Sequence, residues 1–173
     1  MEKPFITAVT YTVEEARFTL ADVPHDPGVV GRIMGVLAEH EVNLDMIVQN
    51  QPTSAAERAQ VSVSVPRSQL PAARAAVAKL ETEMGLQARV DEDMGKVSIV
   101  GAGLRSHPEV AAKVFSTLGT AGINIAMIST SPIVISCVIP VDQVEAAVSA
   151  LRLAFELTDG DSIRQERPFG DDV

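Results

Sequence analysis

The apolar positions of this chain change period as it is read. Across ARFTLADV, Ala16 to Val23, they alternate, with Phe18 and Leu20 on one side, and this predicts a strand. Beyond Pro27 they recur at Val30, Ile33, Met34 and Leu37, the i, i+3, i+4, i+7 spacing of a helix with one apolar face. Pro27 suits the first turn of that helix, where an N–H would have no intrahelical acceptor anyway. NLDMIVQN then predicts a second strand, QPTSAAERAQ a polar hairpin loop, and VSVSV a third strand with its serines on one face. Leu70, Ala73, Val77, Leu80 and Met84 return to the helical period, and LQARV closes the series as a strand.

The series then repeats. PGVVGRIMGVLAEHEVNLDMI, Pro27 to Ile47, aligns without a gap with PEVAAKVFSTLGTAGINIAMI, Pro108 to Ile128. Leu37 meets Leu118, Asn43 meets Asn124, and Met46-Ile47 meets Met127-Ile128. VSVSVP, ending at Pro66, matches ISCVIP, ending at Pro140, at a smaller spacing, so the second hairpin is the shorter one. KVSIVG opens the second copy; Val110, Val114 and Leu118 line its first helix, and Val144, Val148, Leu151 and Phe155 its second. Two copies of a βαββαβ series predict an α+β chain of two tandem ferredoxin-like units. Each is a four-stranded antiparallel sheet with both helices on one face. ITAVTY, Ile6 to Tyr11, lies outside both copies and reads as an extra strand covering a sheet edge. Asp91-Glu92-Asp93 reads as a solvated linker between the copies, and Asn43 and Asn124 each stand where a strand starts.

Composition narrows the function. Of 173 residues, 46% are hydrophobic and only 3% aromatic, so Ala, Val, Ile, Leu and Met must build the core. The formal net charge of −9 argues against nucleic acid and anionic membrane surfaces as partners. A single cysteine, Cys137, excludes a disulfide within the chain and suggests a cytoplasmic protein. The first residues have no apolar core of a signal peptide, and no apolar run approaches the ~20 residues of a membrane span.

Few residues offer chemistry. GAGLRS, Gly101 to Ser106, has a strand before it and a helix after it, but Ser106 replaces the third glycine of a dinucleotide loop, so it reads as a plain turn. No GxxxxGK[ST] is present, and His25, His40 and His107 are far apart, so neither a cofactor, a metal nor a Cys/His nucleophile is expected. Cys137, Met46 and Met127 read as core. The loop VPHDPG is different. A helix N-terminus presents free N–H groups and partial positive charge, which suit a carboxylate. Gly28 lets a ligand approach the main chain. His25 or Asp26 could face an amine, and Gln49 on the next strand could read a side chain. A capped helix start with no ligand is the plainer reading of the same residues.

Taken together, the PHDPG loop, NLDMIVQN, GKVSIVGAGLRSHPEVAAKVF and GINIAMISTS closely resemble the paired regulatory ACT domains of bacterial aspartate kinase, over nearly the whole chain. The resemblance implies a first ACT domain over residues 15–92. It implies a second built from 1–14 plus 93–165, which ITAVTY joins because the first unit is inserted into the second, and a flexible tail over 166–173. It implies that Met1 opens directly into the regulatory region, as in a separately translated β subunit, with no catalytic site in the chain. The expected function is then that of a noncatalytic regulatory subunit that binds threonine, lysine or both. It would work as a homodimer together with a catalytic α-subunit. The effector would lie between His25, Asp26, Pro27, Gly28, Val29, Val30 and Gln49 of one unit and Asn124 and Ile125 across an interface. The chain departs from the family at His25, where an acid is usual, and in SPIVIS, where Pro132 and Val134 replace an acid and a base. A stand-alone ACT amino-acid sensor serving another enzyme is the alternative, and an enzyme on a ferredoxin-like scaffold a third reading that the sparse chemistry disfavours.

Overall fold

A computed structural model describes residues 5–50, 59–157 and 163–166. The chain runs β1 (Phe5–Val23), α1 (Val29–Glu39), β2 (Met46–Asn50), β3 (Ala59–Pro66), α2 (Leu70–Met84), β4 (Gln87–Ala102), α3 (Pro108–Thr120), β5 (Met127–Thr130), β6 (Val134–Pro140), α4 (Val144–Ala154) and β7 (Ile163–Gln165). Among the described residues, Glu14–Glu92 form one compact unit. Residues up to Val13, together with those from Asp93 onward, form the other.

Each unit has the predicted βαββαβ architecture. In the Glu14–Glu92 unit the strand order is β2-β3-β1-β4. The antiparallel register sets Phe18 opposite Val63 and Val63 opposite Ile47, so one face of the sheet is apolar. Helices α1 and α2 pack side by side on that face. Ile33, Leu37, Ala73, Ala76 and Leu80 close over Phe18, Leu20, Val61 and Val63. Full burial of Phe18 alone is worth about 2–3 kcal/mol. The other face carries the serines: Ser64 Oγ accepts the Met46 N–H at 3.1 Å, and Thr19 Oγ1 lies 3.3 Å from Ser62 Oγ.

In the other unit the order is β1-β4-β6-β5, with β7 added in parallel to β1. Val97, Ile99, Ile135, Cys137 and Ile139 form the sheet side of its core, and Val110, Val114, Leu118, Ala147 and Leu151 the helix side. Gly95 of β4 is buried there because a Cβ would stand 2.7 Å from the Thr12 carbonyl oxygen.

Four expectations need correction. ITAVTY and ARFTLADV are one unbroken strand, β1. LQARV and KVSIVG are likewise one strand, so Asp91-Glu92-Asp93 is no solvated linker but lies inside β4. Asp91 is held by Arg17, whose Nε and Nη2 reach it at 3.0 and 2.6 Å, with both side chains only 19% exposed. Asn43 and Asn124 do not start strands; β2 and β5 begin three residues later, at Met46 and Met127. The proposed flexible tail does not start at 166, because Glu166 is bonded to Thr10, Tyr11 and Lys96. Residues 167–173, and 51–58 of the polar hairpin loop, lie outside the described residues.

Candidate functional site

Residues 24–28 carry β1 into α1. Gly28 is the N-cap, with φ +85° and ψ −10°, a left-handed backbone that glycine adopts without a Cβ penalty. The turn is closed by Val29 N–H to the Asp26 carbonyl at 3.3 Å and Arg32 N–H to the Gly28 carbonyl at 3.1 Å. Val29 is buried and fixes the first turn to the core; Val30 is half-buried. His25, Asp26, Pro27 and Gly28 are exposed. No side chain caps this helix, and no acid stands in its first turn. With Val29 and Arg32 N–H so bonded, the N–H groups of Val30 and Gly31 between them have no capping side chain.

Gln49 lies at the same end of this unit's sheet. It pairs with Val61, which pairs with Leu20, three residues before the end of β1. It is exposed on β2, the edge strand. Register thus places Gln49 at the loop's end of the sheet, two strands away from β1. Asn124 and Ile125 belong to the other compact unit, in the segment before β5, where Asn124 is exposed and Ile125 half-buried.

The second copy treats the matching helix start differently. Glu109 stands where the repeat places Gly28. Its carboxyl lies below the ordinary carboxylate range, first because it accepts its own main-chain N–H and then because His107 hydrogen-bonds it, Nδ1 to Oε1 at 2.6 Å. The first turn of α3 thus carries an acid bonded to its own N–H and that of α1 carries none, while neither helix has a side-chain N-cap. A cavity of about 440 Å³ nearby is lined by Leu104, Arg105, Ala111, Thr130, Ser131 and Pro132. Pro132 closes this hairpin: Leu104 N–H donates to its carbonyl at 3.2 Å, and Val134 N–H donates to Ser131 Oγ at 3.0 Å.

The remaining reactive groups are structural. Cys137 is buried, and burial pushes its thiol up to about 12, so it is protonated at neutral pH and does not act as a nucleophile. His40 Nδ1 lies 2.8 Å from the Val36 carbonyl at the end of α1. Asn43 N–H donates to Gln69 Oε1 at 2.7 Å. Among the described residues no group of three or more His, Cys, Asp or Glu could hold a metal ion. No described helix is long and apolar enough to cross a membrane. Sequence reasoning missed the Arg17–Asp91 pair and the Glu166 contacts. Only the alternation of ARFTL, which puts Arg17 on the face opposite Phe18, hinted at the first.

Comparison with known proteins gives a consistent result. The ACT domain family matches residues 18–82 and again residues 97–155. An aspartokinase of Thermus thermophilus is 38% identical over 152 residues, 88% of this chain and 38% of that protein. An aspartate kinase of Pseudomonas fluorescens is 40% identical over 158 residues, 91% of this chain and 38% of that protein. The chain therefore spans well under half the length of these relatives. Among solved structures, the regulatory subunit of aspartate kinase from Thermus flavus superposes with a TM-score of 0.81 at 37% identity, over 87% of this chain and 99% of that one. A structure of aspartokinase alpha and beta subunits gives 0.80 at 37% identity, over 88% and 99%. This chain belongs to the ACT-domain family, in the paired form of the aspartate kinase regulatory regions.

Proposed function

We propose that this chain is a noncatalytic, cytoplasmic regulatory subunit of aspartate kinase. It takes threonine, lysine or both at the start of α1 and passes the signal to a catalytic α-subunit. The observation that carries the reading is the contrast between Gly28 and Glu109. The repeat sets them at matching helix starts, yet the second copy places a carboxylate there and the first a glycine with no acid in the turn that follows. An open N-terminus with free N–H groups suits the α-carboxylate of an amino acid. Asp26 or His25 would face the ammonium group, Pro27, Val29 and Val30 would shape the floor, and Gln49 would read the side chain. Asn124 and Ile125 of a second copy would complete the site. Ile47 and Ile128, exposed at 51% and 45% on the edge strands β2 and β5, support the need for that second copy. Coupling of about 1–3 kcal/mol between this site and the catalytic subunit would change affinity 5- to 150-fold.

Isothermal titration of the purified chain with threonine and with lysine tests the reading. Saturable binding of at least one, lost in Gly28→Glu, is the expected result. No heat from either amino acid, with the chain dimeric by light scattering, would refute it.

A further inference from the structure

Strand β7 is attached to its unit by a short ladder. Ile163–Gln165 pair in parallel with Val9–Tyr11, and one more main-chain bond, Glu166 N–H to the Tyr11 carbonyl at 2.6 Å, ends the pairing. Ile163 is half-buried, while Arg164 and Gln165 are exposed. Three residues of this kind bury too little apolar surface to hold an edge strand by themselves. The Glu166 side chain adds what the ladder lacks. One carboxylate oxygen accepts the Thr10 hydroxyl, and the other lies 3.0 Å from Lys96 Nζ. Lys96 is 11% exposed and Thr10 is buried, so water screens this contact less than it screens a surface ion pair.

The inner side of β7 faces open space as well as protein. A cavity of about 580 Å³ lies between β7, β1 and α4, bounded by Tyr11, Val13, Val144, Val148, Ile163 and Gln165. Release of β7 would sacrifice little packing, and it would bare the main-chain edge of β1 at Val9–Tyr11.

We propose that β7 is a releasable strap over the β1 edge, latched by the Glu166 carboxylate on Lys96 and Thr10. When it lifts, the bared edge accepts an extended segment that brings a carboxylate to Lys96. The same residues of a second copy fit best, because they reproduce every contact that β7 makes in its own chain. This rests on the β7 geometry and not on the effector reading.

Hydrogen exchange on the full chain tests it, with the amides of Val97 to Ile99, inside the β4–β6 ladder, as the reference for unfolding of the unit. In the wild type the residue 166 amide should exchange, after correction for its intrinsic rate, about 100-fold faster than that reference. Glu166→Gln and Lys96→Met should each speed it roughly 10-fold further and leave the reference unchanged. The double variant should gain no more than either single one, since both remove one latch. Both single variants should also form species above the wild-type oligomeric state as concentration rises. Exchange at the reference rate, or no response to either substitution, would make β7 a fixed strand and overturn the proposal. Faster exchange with no gain in association would overturn the strand exchange between copies.

Discussion

Gly95→Ala adds one methyl group at a place where the structure leaves no room. Gly95 sits in β4 opposite Ile139, and the new Cβ would stand 2.7 Å from the Thr12 carbonyl oxygen and against Val144 Cγ2. An unstrained contact needs roughly 3.5 Å, so something must move by about 0.8 Å. The Thr12 oxygen is main chain and cannot rotate away. Val144 is a β-branched residue in a helix, where one χ1 rotamer dominates, so turning its methyl aside is also costly. Overpacking of this size costs about 1–3 kcal/mol. Against it stands a gain of about 0.4–1 kcal/mol from restricting the unfolded chain. The expected net loss is about 1–2 kcal/mol. Gly35→Ala is the control: Gly35 is exposed within α1 with nothing within 4 Å of its would-be Cβ, so the same change should stabilise by about 0.5–1 kcal/mol. Urea unfolding measures both. With one tyrosine and no tryptophan, Tyr11 fluorescence follows the unit that contains Gly95, while far-UV circular dichroism follows both units. Equal effects of the two substitutions, or a stabilised Gly95→Ala at unchanged m-value, would refute the steric argument.

At the Arg17–Asp91 pair, burial raises the Asp91 carboxyl, but hydrogen bonds and charge from Arg17 and Arg89 outweigh it, so its pKa ends below the ordinary carboxylate value. A depressed folded pKa contributes stability above the unfolded value and loses it as pH falls through the folded one. Asp91→Asn should therefore cost about 1–2 kcal/mol at pH 7, and the gap to wild type should close in acid, as read by urea unfolding from pH 7 down to pH 3. At the α1 site, Gly28→Glu should weaken effector binding more than 10-fold by titration, because it puts a carboxylate of the chain where the effector's would lie, as Glu109 does in the second copy. Gly28→Ala, which shares the backbone strain of φ +85° without the carboxylate, should weaken it less. His25→Asp should strengthen binding by restoring an acid near the ligand ammonium, and unchanged affinity would remove His25 from the site. Cys137, with its thiol pushed up to about 12, should resist iodoacetamide at pH 8 in the native chain and react at once in denaturant, by mass spectrometry.

The fold class was legible because both periods are clean and because they occur twice. Val30, Ile33, Met34 and Leu37 announce a helix, and the helix is there, although its buried stripe runs Val29, Ile33, Val36 and Leu37, turned slightly from the predicted one. What stayed hidden depends on distant pairing. Asp91-Glu92-Asp93 looks solvated in sequence because nothing local reveals Arg17, 74 residues away, that neutralises Asp91 inside a strand. β7 is three residues long with two of them exposed, so it carries no periodic signal at all. The joining of β1 across two units stayed hidden because TVEE, Thr12 to Glu15, carries no apolar alternation, yet β1 runs straight through it. Of the candidate site, the loop His25–Gly28 and the position of Gln49 followed from pattern and register. The left-handed Gly28 and the missing cap did not, because a backbone angle is not a property of one residue type.

The repeat makes each unit a control for the other. Gln49, Val61 and Leu20 form one row across the first sheet, and Thr130, Ile135 and Ile99 form a row of the same kind across the second. Pro27, just before α1, and Pro108, the first residue of α3, stand at matching places, and Ile47 and Ile128 are exposed on matching edge strands. The copies still differ at most aligned positions, in the core as well as outside it: Ile33 stands against Val114 and Val36 against Thr117. At the end of the scaffold that holds the candidate site the differences include Gly28 against Glu109, His25 against Ser106, and Gln49 against Thr130, positions exposed in both copies. Exposed positions at a helix start and a strand end are little constrained by packing, so the two copies can take different roles there. On the proposed reading, the first copy, with Gly28 and no acid in its first turn, takes from an effector the carboxylate that the second copy carries itself as Glu109.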